Sequence, residues 1–142
     1  MMNIPRLLAV AAGTAALLAA KLALAGDFAV VVNKANASAV DKATLAKIYT
    51  GEMKSWGDGT PVVAVDLPDD SATRAAFSTD VVGKSVANLK AMWAQFVFSG
   101  KALPPKQAAS DDDVKKLVSA TKGAVGYIKP SAVDDSVKVA LK

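Results

Sequence analysis

The stretch VVAVDLPDDSATRAAF, residues 62–77, decides the fold that this chain adopts. Residues 62–65 form an apolar run rich in β-branched side chains, and such a run, bounded by turn residues, predicts a buried strand. The turn at 68–71 leads into a helix that we expect to reach Val82 and to end at Gly83, because glycine commonly terminates helices. A buried strand that passes through a short loop into a helix is the unit from which α/β domains are built.

The rest of the chain repeats these two patterns. Apolar runs predict three more strands, at 28–33, 124–128 and 136–141. Helices with apolar stripes are predicted after three capping residues, which are Asp41, Ser85 and Ser110. The alternation predicts an α/β domain with a central, mostly parallel or mixed sheet and helices on both faces.

Length and composition exclude several classes of protein. The 142 residues suffice for one domain, and the formal net charge is +4. Without Arg6 and Lys21, which lie in the signal peptide predicted below, the charge falls to +2, too mild to indicate a nucleic-acid-binding protein. The sequence contains no cysteine and no histidine. A disulfide framework, a Cys/His zinc site, a thiol nucleophile and a histidine general base are therefore excluded. We expect neither a cofactor nor a metal site.

The N-terminus has the pattern of an export signal. Arg6 precedes the uncharged run 7–20, which as a helix would rise about 21 Å, short of the roughly 30 Å hydrocarbon core of a bilayer. Ala-Leu-Ala at 23–25 is typical of a cleavage site. We therefore predict a secretory signal peptide at 1–25 and a folded domain at 26–142, exported to a bacterial periplasm; the alternative is an uncleaved membrane anchor.

The loop after the 62–65 strand is the best candidate for a ligand site. The helix there begins at Ser71, and a helix N-terminus presents unpaired N–H groups with a partial positive charge. Loops at the carboxyl ends of strands are where open α/β sheets bind ligands. These features together predict an oxyanion site. The alternative is that Asp70 or Ser71 only caps the helix.

Three blocks of the sequence resemble one known family. They are LAKIYTGEMKSW at 45–56, DDSAT at 69–73 followed by Phe77, and TKGAVGY at 121–127. In order and spacing they are similar to blocks of the periplasmic phosphate-binding proteins of ABC uptake systems. The resemblance implies one lobe of a type II periplasmic-binding-protein fold, in which the family's second lobe has no counterpart. It also implies non-catalytic capture of phosphate or a similar oxyanion.

The resemblance assigns roles to residues of the 69–73 block. Asp69 stands where the family has an aspartate that accepts a hydrogen bond from hydrogen phosphate, and Ser71 and Thr73 stand where it has hydroxyl and amide donors. Ala72 replaces a glycine, which keeps the N–H but hinders close approach of the anion.

Leu67 falls where the family has its phosphate-pairing arginine. That arginine would make a strong bidentate contact. Arg74, on the first turn of the helix that begins at Ser71, is the candidate substitute, although we expect it to point into solvent. Since Asp69 and Asp70 add negative charge, we expect weak binding, near the millimolar range or about −4 kcal/mol.

Two functions and one distant alternative follow from these residues. The first is an oxyanion-binding protein of the phosphate transport type. The second is an interaction module that docks on a membrane sensor, a transporter or a second copy. The leucine at position 67, in place of the family's arginine, favours this second function. An enzyme is the distant alternative, because the carboxylates of Asp66, Asp69 and Asp70 have no paired nucleophile.

Three other features have structural interpretations. The acidic run 111–113 is expected to complement the dipole of a helix N-terminus rather than to hold a cation. Of the aromatic residues Trp93, Phe96 and Phe98, two suffice for the core, so the third is a candidate contact residue. Residues 33–36 follow the first strand and are expected at the same sheet edge as Ser71.

Overall fold

Strands β1 (Ala29–Val32) and β4 (Ala124–Ile128) lie near the centre of a five-stranded mixed sheet, and every residue in both is buried. The computed structural model describes residues 28–141, so the predicted signal peptide lies outside the described residues. The strand order is β3-β2-β4-β1-β5, with β2 at Val63–Asp66, β3 at Lys106–Gln107 and β5 at Lys138–Leu141. Strands β2, β3 and β4 are parallel, whereas β1 is antiparallel to both β4 and β5.

Neighbouring residues of β4 contact helices on opposite faces of the sheet. The ring of Tyr127 stacks on Phe77 at a centroid distance of 4.0 Å, at the end of helix α2 (Ala72–Phe77). Gly126 faces Val114 and Val118 of helix α4 (Asp111–Ala120) instead. Because side chains alternate across a strand, this pattern shows a sheet with helices on both faces. The predicted fold class is confirmed.

All four predicted helices are present, and each begins at a polar cap. Besides α2 and α4 there are α1 (Lys42–Tyr49) and α3 (Val86–Phe98). The four caps each accept a hydrogen bond of 2.8–3.2 Å from the amide three residues later, and they are Asp41, Ser71, Ser85 and Ser110. Such caps satisfy amides that have no carbonyl partner in the first turn.

The helix that begins at Ser71 changes its hydrogen bonding before it ends. After Phe77 it continues as a π-helical turn (Ser78–Val82), and it stops at Gly83, whose φ is 77°. The predicted end is thus confirmed. The left-handed φ explains why glycine is suited to this position.

The structure departs from the sequence analysis in two places. Strand β3 was not predicted, because its two residues are polar and exposed, and it is defined only by its parallel pairing with β2. The expectation that residues 33–36 share an edge with Ser71 is wrong. Since β1 is antiparallel to β4, its end lies at the amino edge of β4, where the Asn33 amide donates to the carbonyls of Val118 and Ser119.

Each helix within residues 28–141 is too short or too polar to traverse a lipid bilayer.

Candidate functional site

The loops after the three parallel strands β2, β3 and β4 meet at one edge of the sheet and enclose an open cleft of about 500 Å³. We call it the Ser71 cleft. The side chains and backbone that line it include Asp70, Ser71, Thr73, Ser110, Asp112 and Lys129. This is the edge at which open α/β sheets bind ligands.

Helix α2 presents its first turn to the Ser71 cleft. The Ser71 hydroxyl accepts from the Arg74 amide at 3.2 Å, and the Ser71 carbonyl accepts from Ala75 at 3.1 Å. The N–H groups of Ala72 and Thr73 lie in the first turn, so the helix offers them no carbonyl one turn earlier to which they could donate. Ser71 is therefore both a cap, as the alternative interpretation held, and a lining residue of the cleft.

A second helix begins at the same cleft. Ser110 caps α4 by accepting from the Asp113 amide at 3.2 Å, and both Ser110 and Asp112 line the cleft. Two helix N-termini on one cleft add their partial positive charges there. Lys129, which follows β4, adds a full positive charge, while the carboxylates of Asp70, Asp111 and Asp112 oppose an anion.

Arg74 does not point into solvent, so that expectation is wrong. Its side chain is only 9% exposed, and its Nη1 donates to the Leu67 carbonyl at 3.1 Å and to the Asp69 carboxylate at 2.6 Å. Its Nη2 lies 3.7 Å from the Asp66 carboxylate. The guanidinium folds back over the end of β2 because two carboxylates and a free carbonyl converge there.

Asp69 and Arg74 line a different depression from Ser71 and Thr73. This depression, which we call the Arg74 groove, has a volume of about 590 Å³ and also includes Lys90 and Trp93. Lys90 Nζ lies 2.6 Å from the second Asp69 oxygen. Hydrogen bonding to Lys90, together with the charge of Arg74, lowers the pKa of Asp69. The five residues predicted for the site are therefore divided: two line each depression, and Ala72, which is exposed, is a lining residue of neither.

A buried tyrosine completes the charge network at the end of β2. The Tyr127 hydroxyl donates to the Asp66 carboxylate at 2.6 Å and accepts from the Leu67 amide at 3.3 Å. Burial raises the pKa of Asp66, and the hydrogen bond from Tyr127 and the charge of Arg74 partly offset that increase. Leu67 itself is buried in the core but also borders the Ser71 cleft, where its apolar side chain supplies no charge to an anion.

The sequence analysis missed Lys129 and the role of Ser110 at the site. Lys129 directly follows a predicted strand, so the strand-end rule that indicated Ser71 could have indicated it as well. Ser110 was predicted only as a cap. Its proximity to Ser71 depends on β3, because the short parallel strand brings the start of α4 to the same sheet edge. Within residues 28–141, the acidic side chains form no group of three or more able to hold a metal ion.

Comparison with known proteins gives consistent matches. The chain is 29% identical over 128 residues to the phosphate-binding protein PstS of Bacillus subtilis, covering 85% of this chain and 37% of that protein. A phosphate ABC transporter substrate-binding protein from Clostridium perfringens, solved with bound phosphate, is 27% identical with a TM-score of 0.65. An ABC-type phosphate transport receptor from Vibrio cholerae is 26% identical with a TM-score of 0.62.

The chain spans less than half the length of these proteins. It covers 46% of the Clostridium perfringens chain and 44% of the Vibrio cholerae chain, while 81% and 79% of its own residues are matched. The model of a family described as the PBP superfamily domain matches residues 9–139. The chain therefore belongs to the PBP superfamily domain family and is similar to phosphate-binding proteins over part of their length.

Proposed function

We propose that this protein binds phosphate or a similar tetrahedral oxyanion, without chemical change, in the Ser71 cleft. Ser71 and Thr73, which line the cleft, are the proposed contacts, and the amide of Ala72, which lies between them in the chain, is the proposed third contact. The observation that carries the proposal is the meeting of the α2 and α4 N-termini at one cleft beside Lys129. Similarity to phosphate-binding transport proteins supports phosphate as the anion.

Asp69 and Arg74 have a positioning role in this proposal. Their ion pair ties the loop 67–71 to the first turn of α2, because Arg74 bridges the Leu67 carbonyl and Asp69. Both oxygens of Asp69 already lie 2.6 Å from a cation. The anion is then held by amides and hydroxyls rather than by a guanidinium.

The proposed affinity is low. Lys129 is opposed by Asp70, Asp111 and Asp112 on the same cleft, and the cleft is open to water, which screens each contact. An affinity near the millimolar range, about −4 kcal/mol, agrees with this charge balance.

The proposed setting is outside the cytoplasm, in partnership with a membrane transporter. It rests on the predicted signal peptide at 1–25 and on the similarity to proteins named as phosphate transport receptors.

Calorimetric titration with phosphate tests the proposed site. Thr73→Val keeps the shape of a buried side chain and removes its hydroxyl, so it should weaken binding about fivefold or more while changing the melting temperature little. Ser71→Ala should weaken binding and also cost roughly 1 kcal/mol of stability through loss of the cap.

Ser85→Ala is the matched control, because Ser85 caps α3 with the same geometry and does not line the Ser71 cleft. It should lose similar stability and keep phosphate binding. Wild-type protein that gives no heat at tens of millimolar phosphate, or a Thr73→Val variant that binds as tightly as wild type, would contradict the proposal.

A further inference from the structure

The end of helix α3 and the loop after it expose large apolar side chains. Phe98 is 95% exposed and Leu103 is 83% exposed, and Val97 beside them is 47% exposed. Of the three aromatic residues on α3, Trp93 is buried, Phe96 is half-buried and Phe98 is almost fully exposed, so Phe98 is the candidate contact residue. Phe98 and Leu103 border two depressions that share Pro104 and Pro105, so both lie near the same proline pair. Exposed apolar side chains this close together indicate a contact surface.

Three lysines lie next to these apolar side chains. Lys54 Nζ lies 3.4 Å from the carbonyl of Lys101, and Lys54, Leu103 and Lys106 line one depression. Lys101 lines another with Phe98. We call this group the Phe98 surface: Phe98, Leu103, Lys54, Lys101 and Lys106.

The segment of chain that carries most of the Phe98 surface contains positively charged side chains only. Residues 84–110 contain four lysines, at 84, 90, 101 and 106, and no aspartate or glutamate. Asp69, which approaches α3 from another loop, is already paired with Arg74 and Lys90. Glu52 is the carboxylate nearest in sequence to Lys54, and its single negative charge is fewer than the three positive charges of Lys54, Lys101 and Lys106. The surface therefore keeps a net positive charge around its apolar side chains.

From this combination we infer that the Phe98 surface binds an anionic lipid bilayer. Phe98 and Leu103 insert among the lipids while Lys54, Lys101 and Lys106 contact the headgroups, as lysines do at membrane interfaces. Side chains that are almost fully exposed protrude, and a fluid bilayer accepts a protruding side chain without a matching pocket. A second copy fits less well, because a symmetric pairing of this surface would place lysines against lysines.

Vesicle binding of the full chain tests the inference. We expect binding to vesicles with about one-third phosphatidylglycerol to be about tenfold tighter than to pure phosphatidylcholine. Lys101→Glu combined with Lys106→Glu should abolish that preference. Lys34→Glu combined with Lys42→Glu makes the same change of net charge at exposed sites away from the Phe98 surface, and it should keep most of the preference.

A site-specific label distinguishes vesicle binding through the Phe98 surface from binding through the apolar run at 7–20, which is the same in all variants. Because the chain has no cysteine, Leu103→Cys or Ala35→Cys gives a single position for an environment-sensitive fluorophore. The label at position 103 should brighten with phosphatidylglycerol vesicles and the label at position 35 should not.

Three outcomes would overturn the inference. One is an equal response of the two labels, and another is equal loss of binding in the two charge-reversal variants. The third is a dimer in light scattering that Phe98→Ser converts to a monomer, without any vesicle binding, which would assign the surface to a second copy.

Discussion

Arg74 places its positive charge beside the carboxylates at the end of strand β2 rather than facing solvent. Its guanidinium lies between the carboxylates of Asp66 and Asp69 and donates to the Leu67 carbonyl. A largely buried carboxylate such as Asp66 is tolerated only when a cation and hydrogen bonds replace its lost hydration. Tyr127 supplies the hydrogen bond and Arg74 supplies the charge.

Replacing Arg74 by methionine should lower the free energy of unfolding near neutral pH by about 3 kcal/mol, since Asp66 then keeps an uncompensated charge. The loss of Arg74 also raises the pKa of Asp66 further, because the guanidinium is one of the groups that lower it. The destabilisation should therefore shrink as the pH falls through that raised pKa and Asp66 becomes neutral in the folded state. Urea unfolding at several pH values measures both effects.

Lys90→Met is the control for the Arg74 variant. It removes the other cation that contacts Asp69, but both side chains of that pair are about half exposed. Exposed ion pairs contribute about 0–1 kcal/mol, so the loss should stay within that range. An Arg74→Met variant no less stable than Lys90→Met would show that Asp66 needs no cation.

At the scale of elements, the contact between β4 and α4 depends on a residue without a side chain. A Cβ at Gly126 would lie 2.6 Å from Val114 Cγ1 and 3.6 Å from Val118 Cγ2. Both valines are fully buried, so neither has free space to move into. Close packing at Gly126 fixes how near α4 lies to the sheet and, with β3, where Ser110 meets the Ser71 cleft.

Gly126→Ala should lower the free energy of unfolding by about 1–3 kcal/mol, because an added methyl in a full core forces the helix outward. Gly57→Ala serves as the comparison, since a Cβ there meets no atom within 4 Å. That change should stay within about 0.5 kcal/mol. Equal stability of the two variants in urea would mean that α4 can move away at no cost.

At the scale of the whole molecule, stability is unevenly distributed. All residues of β1 and β4 are buried, whereas α3 buries only Leu89 and Trp93 among its thirteen residues. Trp93 anchors the helix, with its indole N–H donating to the Tyr49 carbonyl at 3.1 Å. Segments with few buried contacts open at lower free energy than the core.

Native-state hydrogen exchange should therefore give slower exchange for amides of β1 and β4 than for the hydrogen-bonded amides of α3. Helix α4, which buries Val114 and Val118 against the sheet, provides the comparison within the same molecule and should exchange more slowly than α3. Exchange in α3 as slow as in β4 would show that the helix opens only when the whole domain unfolds.

The sequence by itself determined the fold class, the four capped helices and the strand-to-helix loop that carries Ser71. These features depend on local patterns, since apolar runs, caps and glycines act through neighbouring residues. Only the tertiary structure decided the direction of Arg74, the position of residues 33–36 and the meeting of Ser71 with Ser110 and Lys129. Each of these depends on which strands are neighbours and on their direction, and such pairings join residues too distant in the chain for local periodicity to specify.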